Sequence, residues 1–135
     1  MYIDGNGRIL RSILEYMKRY YKGGILFQTH YARNCTYQEA NKVILLGFDT
    51  KETVAAQMYK YQRSGLPRNN GLYENGFLIR DNSANDFCER WYDEILAGSY
   101  RDQLSLPYCI FKERPPKMTI VNGSYKRRYI SFKPH

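Results

Sequence analysis

Apolar residues recur at helical spacing between Arg8 and Tyr21, at Ile9, Ile13, Leu14, Met17, Tyr20 and Tyr21, until Gly23-Gly24 stops the pattern. That segment reads as an amphipathic helix. Ile25-Leu26-Phe27-Gln28-Thr29 follows as an apolar run of strand length, which delivers His30, Tyr31 and Arg33 into the next loop. Thr36 with Glu39 has the spacing of a capping box and predicts a helix to about Leu46. Asp49 with Glu52 repeats the arrangement and opens a helix through Val54, Met58 and Tyr61 that Gly65 and Pro67 end.

Leu66 to Gly71 carries turn residues, and Gly76-Phe77-Leu78-Ile79-Arg80 is the second clear strand. Ser83 with Asp86 marks a helix start, and Phe87, Cys88, Trp91, Ile95 and Leu96 form its apolar face up to Gly98. A shorter helix is expected from Tyr100 to Leu106, ended by Pro107. In the basic segment beyond it, Met118 to Val121 and Tyr129 to Phe132 are expected to pair as strands across Asn122-Gly123. Helices and strands interleave, so the class is α/β or α+β.

At 135 residues with 43% hydrophobic content, the chain is sized for one core. No apolar stretch approaches the roughly 20 residues a membrane-spanning helix needs. The start, Met1 to Asn6, has no basic region followed by an apolar run, so the expected location is the cytoplasm. Cys35, Cys88 and Cys109 have no C-x-x-C spacing and sit in apolar or helical stretches, where free buried thiols are expected.

Net charge is +8, and from Lys112 onward seven bases face the single acid Glu113. Beside 14 tyrosines this excess suits either a solvated tail or a phosphate-tracking surface with stacking platforms. No zinc-finger or helix-turn-helix pattern accompanies it, so nucleic acid is not the expected partner.

Four polar groups sit where strands end or helices begin. Asp4 and Asn6 follow the apolar pair Tyr2-Ile3 and put hard oxygen donors at a strand end, a chemistry suited to Mg²⁺ or Mn²⁺ and equally to a plain turn. His30 and Arg33 precede the helix opened by Thr36, where side-chain charge and free amides would favour an anion. Glu74, Asn75, Gly76 and Arg80 flank an apolar strand. Arg101, Asp102 and Gln103 lie at a helix start.

In order, Y-I-D-G-N, H-Y-A-R-N-C-x-Y-x-E, Q-M-x-x-Y-x-x-x-G-L-P, G-L-Y-E-N-G-F-L-I-R, F-C-E-R-W-Y-D-E-I and S-x-R-D-Q-L-S-L-P-Y resemble the glycosyltransferase-like family that includes plant mucilage-related proteins. The motif series spans roughly Tyr2 to Lys112. Residues 1–112 are therefore the expected glycosyltransferase-like domain and 113–135 a basic C-terminal extension. The resemblance implies a GT-A-like α/β domain with a short mixed sheet and flanking helices, a nucleotide-sugar donor, a glycan or other hydroxyl acceptor, and Mn²⁺ or Mg²⁺. On that template Asp4 and Asn6 match the metal-binding acidic motif. Asp102, Gln103 and Glu74 match groups facing the sugar, Asp102-Gln103 being similar to the late Asp-Gln of glycogenin-like retaining enzymes.

Asn75 and Gly76 would line the sugar site. Arg33, Arg80 and Arg101 would hold phosphate or a carboxylated sugar, and His30 would be a third metal ligand or an acceptor contact. In the family the acidic motif lies mid-domain on a central strand, whereas here it begins at residue 4. The implied unit is thus the C-terminal half of a GT-A domain without its nucleotide-binding half, which a partner chain would restore; the uncovered front face also leaves a homodimer open. The alternative is a noncatalytic basic module, derived from the same fold, that binds nucleic acid or a partner.

Overall fold

The computed structural model describes residues 1–133. Its main sheet has four strands, β1 (Tyr2–Ile3), β4 (Tyr73–Arg80), β3 (Ile25–Thr29) and β5 (Met118–Val121), in that spatial order. β4 runs antiparallel to both β1 and β3, while β5 runs parallel to β3, so the sheet is mixed. A second, two-stranded antiparallel sheet joins β2 (Gly7–Ile9) to β6 (Ile130–Phe132). The helices are α1 (Ile13–Tyr20), α2 (Thr36–Leu45), α3 (Lys51–Arg63), α4 (Asn85–Leu96) and α5 (Asp102–Lys112).

Strand alternation sends Ile25 and Phe27 of β3 to one side, where they meet Phe87 and Trp91 of α4 and Leu106 and Ile110 of α5. Leu26 points the other way and packs with Tyr16 of α1, Phe77 and Ile79 of β4, and Ile130 of β6. Burying each such large side chain contributes about 1.5–3 kcal/mol. The α2–α3 hairpin stacks on the outer side of α5 through Val43, Val54, Leu104 and the stacked rings of Tyr61 and Tyr108.

In β4, Tyr73 joins the α4–α5 core, whereas Phe77, of the same parity, joins the α1 core. A bulge causes this. Leu26 pairs with Ile79 and Gln28 with Glu74, so Asn75 to Leu78 of β4 stand opposite Phe27 alone. The extra residues flip the strand's faces and turn Asn75 and Gly76 out of regular pairing.

Several local expectations change once packing is present. Arg8 and Ile9, expected within the first helix, are drawn with Gly7 into strand pairing with β6, and α1 starts only at Ile13. The Thr36–Glu39 capping box does not form: α2 follows Cys35, and Glu39 turns instead to Arg33, at 2.6 Å. Thr50, not Asp49, caps α3 by accepting from the Thr53 amide. Ser83 lies in a short 3-10 turn, donating both its amide and its hydroxyl to Asp81 ahead of α4.

Pro107 does not end α5, because every residue from Leu104 to Ile110 is buried and that burial offsets the roughly 3 kcal/mol cost of an internal proline. The strands at 118–121 and 130–132 exist but do not pair with each other; each finds a partner far earlier in the chain. The residues after Lys112 thus supply an edge to the main sheet and half of the small one. β1 is likewise an edge strand, where the resemblance had implied a central one. Cys35, Cys88 and Cys109 are free, the first and last of them buried, and no helix among the described residues is long and apolar enough to cross a membrane.

Candidate functional site

Three chain segments converge beside the β4 bulge. Asp4 leaves β1 with its amide donating to the Gly76 carbonyl at 2.9 Å, which docks its carboxylate against the bulge. The contact is close enough that a Cβ on Gly76 would stand 2.8 Å from Asp4 Oδ2, so only glycine leaves the room. Tyr2 donates its hydroxyl to Asp4 Oδ1 at 2.6 Å, and that bond raises the Tyr2 pKa.

The second segment is the start of α5, where Asp102 is the first helical residue and no side chain caps the helix. A buried lattice holds this turn in place. The Ser99 hydroxyl donates to Asp49 and accepts from the Arg101 amide, and the Ser99 amide donates to Gln57 Oε1. Tyr100 reaches the Phe48 carbonyl.

Asp4, Asn75, Gly76, Arg101, Asp102 and Gln103 line one cavity of about 450 Å³, walled on its outer side by Phe48 and Tyr100. Burial pushes the Asp102 carboxyl above the ordinary range and the Asp4 charge adds to the shift, against the pull of the Asn75 amide and the Arg101 guanidinium. Asn75 is 7% exposed, with its amide turned toward the Asp102 carboxylate, and among the described residues the Arg101 Nε is buried without an acceptor, its guanidinium lying 4.8 Å from the Phe48 ring centroid. A buried donor without an acceptor at a cavity wall is what a polar ligand satisfies.

A second cavity of about 600 Å³ opens on the other side of the same four residues, Asp4, Asn75, Gly76 and Gln103, and adds Asn6, His30, Tyr31, Glu74, Lys126, Phe132 and Lys133. The His30 Nδ1 accepts from the amides of Ala32 and Arg33, each at 3.1 Å, so a neutral ring carries its proton on Nε2. Arg33 stands 3.3 Å from that Nε2 and ion-pairs with the buried Glu39. Burial, then the Arg33 charge, lower the His30 pKa. Nδ1 is thus engaged by two amides and Nε2 faces the Arg33 guanidinium.

The third segment comes from the C-terminal part of the chain. Gly123 packs so tightly on β3 that a Cβ there would stand 2.2 Å from the Thr29 carbonyl oxygen, and this approach carries Lys126 inward. Lys126, 6% exposed, ion-pairs with Glu74, whose carboxylate also accepts from the Tyr31 amide at 3.3 Å. Asn6 fastens the end of β6 by accepting at its carbonyl from the Lys133 amide and donating Nδ2 to the Lys133 carbonyl.

The fold therefore places Asp4, Asn6, His30, Glu74, Asn75, Gly76, Arg101, Asp102 and Gln103 on two joined cavities, with Arg33 directly behind His30. Arg80 is elsewhere. At the far end of β4 it is exposed and donates to Asn85, because the eight-residue strand spans the sheet and separates its two ends. Lys126, Phe132 and Lys133 escape the sequence motifs. Their only signal there is composition, basic and aromatic residues in a segment expected to be a tail.

Two carboxylates, Asp4 and Asp102, face one cavity beside the Asn75 amide. Such hard oxygen donors fit Mg²⁺ or Mn²⁺ that keeps water and phosphate oxygens in the rest of its shell. Among the described residues no three His, Cys, Asp or Glu side chains gather as a closed metal cage. Comparison with curated proteins and with solved structures returns no match. A family model described as TOD1/MUCI70, glycosyltransferase-like domain, matches residues 2–132, past the end of the motif series and through β6, and the chain belongs to that family.

Proposed function

We propose that the protein transfers a sugar from a nucleotide-sugar donor to a hydroxyl acceptor, the donor sugar in the Asp102 cavity and the acceptor in the Glu74 cavity. The observation that carries this reading is the sharing of Asp4, Asn75, Gly76 and Gln103 by both cavities, so two ligands seated in them would meet at one wall. The acceptor oxygen attacks the anomeric carbon, the bond from that carbon to the phosphate oxygen breaks, and the nucleoside diphosphate leaves with the electron pair.

A divalent cation, when bound at Asp4, supplies Lewis-acid stabilisation of the departing diphosphate. Asp102, Gln103 and the Asn75 amide orient the sugar. Arg101, its guanidinium over the Phe48 ring, offers its buried Nε–H to a phosphate or sugar oxygen. Glu74 and Asp102 are the carboxylates available to take the acceptor proton.

The test is a panel of nucleotide sugars with Mn²⁺, scored by calorimetric binding and by release of the nucleoside diphosphate. Binding or turnover with at least one donor, cut about a hundredfold by Asp4→Asn or Asp102→Asn, is the expected result. No binding and no release with any donor would overturn the reading.

A further inference from the structure

We infer that the mouth of the Glu74 cavity carries an oxyanion-recognition element, built from His30, Tyr31 and Arg127, that selects an acceptor sugar bearing a carboxylate or phosphate. As an acceptor subsite it rests on the transfer reading above.

Tyr31 lines the cavity and is 70% exposed, and two contacts hold it. The Tyr31 ring stacks on His30, with centroids 4.9 Å apart and planes 19° from parallel, and its amide is tied to Glu74. His30 is in turn fixed by two backbone amides. The platform is therefore rigid back to β3.

Over this ring lies Arg127, its Cζ 5.8 Å from the centroid. A guanidinium on an aromatic face keeps its N–H edge free for two parallel bonds to a planar oxyanion. Among the described residues Arg127 closes no ion pair with Asp or Glu, in contrast to its neighbour Lys126, whose charge Glu74 takes up. Lys133 adds a second cation on the same cavity. Asp4 and Glu74 line the cavity beside the bulge, whereas Arg127 reaches it only over the exposed Tyr31 ring, so an anionic group is favoured at the Tyr31 end and the reacting hydroxyl at the bulge. A short pocket leading to the shared wall suits a sugar unit better than a nucleic-acid strand, which needs a series of platforms along a groove.

The experiment measures binding without donor, by calorimetry, for a uronic-acid oligosaccharide, the same oligosaccharide with its carboxyls reduced to alcohols, and that neutral form phosphorylated. Inorganic phosphate and short single-stranded DNA complete the set. At least one charged oligosaccharide should bind about tenfold tighter than the neutral one, and the carboxylated and phosphorylated arms show which oxyanion is preferred. Arg127→Gln should erase that difference, and Arg127→Lys should restore little of it because the planar fork is lost.

Tyr31→Ala should weaken every saccharide probe. Arg127 and Tyr31 are exposed, so unchanged melting curves separate these effects from misfolding. Equal binding of charged and neutral oligosaccharides, an unaltered preference in Arg127→Gln, or tighter binding of DNA than of any saccharide would each overturn the proposal. Oxyanion-selective binding that persists when no donor is bound or turned over would sink the transfer reading and leave the recognition element standing.

Discussion

Lys126 closes an ion pair onto Glu74 inside the second cavity, linking the C-terminal segment to the β4 bulge across a side chain only 7% exposed on the lysine side. Lys126→Met leaves the Glu74 carboxylate without its counter-charge. A loss of about 2–3 kcal/mol is expected in urea unfolding, at the low end for a buried pair because Glu74 is 18% exposed. Adding Glu74→Gln to that variant should recover part of the loss; no recovery would show that Lys126 acts by packing alone.

Gly76→Ala tests the closeness of Asp4 to the bulge. The new methyl meets Asp4 Oδ2 at 2.8 Å and the Phe132 ring at 3.3 Å, so the carboxylate must swing away. A modest stability loss of about 1–2 kcal/mol is expected together with a drop of tenfold or more in Mn²⁺-dependent donor affinity. A variant with wild-type donor affinity would show that Asp4 is not where the donor is held.

The raised Asp102 pKa sets a sign for pH dependence. A carboxyl whose folded pKa exceeds its unfolded one binds more protons when folded, so its contribution is present at low pH and is lost as pH rises from about 3.8 through the folded value. Asp102→Asn should remove that decline, giving a melting temperature at neutral pH equal to or above the wild type while donor turnover falls. A thermal melt series from pH 4 to 8 checks the stability, and a donor-turnover assay on the same variant checks the activity.

Asp81 behaves in the opposite sense. It accepts from Ser83 through amide and hydroxyl, from the Gly24 amide and from the Tyr21 hydroxyl, and these bonds, those of Ser83 foremost, hold its carboxyl far below the usual range. Stability from this cap is complete above the unfolded pKa and is lost as pH falls through the acid range. Asp81→Asn should lower the melting temperature at pH 7 and flatten its acid limb, seen by circular dichroism.

Arg80→Ala provides the contrast. The side chain is exposed at the far end of β4 and meets Asn85, so a change within about 0.5 kcal/mol and unaltered donor affinity are expected. Reduced donor binding in this variant would require the ligand to extend around the sheet edge.

Much of the local structure is written in the chain itself. The strand Ile25–Thr29, the α4 face of Phe87 and Trp91 and the α3 stop at Gly65 follow from spacing and turn chemistry, which act over a few residues. The ordered motifs around Asp4, His30, Glu74 and Asp102 also mark the groups that face the two cavities. The caps were less legible. Glu39 and Asp49 have the right offsets for helix starts, but Arg33 and Ser99, distant in sequence or outside the helix, offered stronger partners.

What only the tertiary structure decided is long-range pairing and its consequences. No local signal tells that Ile9 pairs with Ile130, that the run at 118–121 lies parallel to β3, or that Asn75 to Leu78 bulge. Strand propensity is the same whichever partner is chosen, and the choice is made by which faces bury together. That choice turns the basic segment after Lys112 from charge alone into a wall of the second cavity, with Lys126 inside it and Arg127 over the Tyr31 ring. The motif residues were determined by the sequence; which of them meet, and what else joins them, was decided by packing.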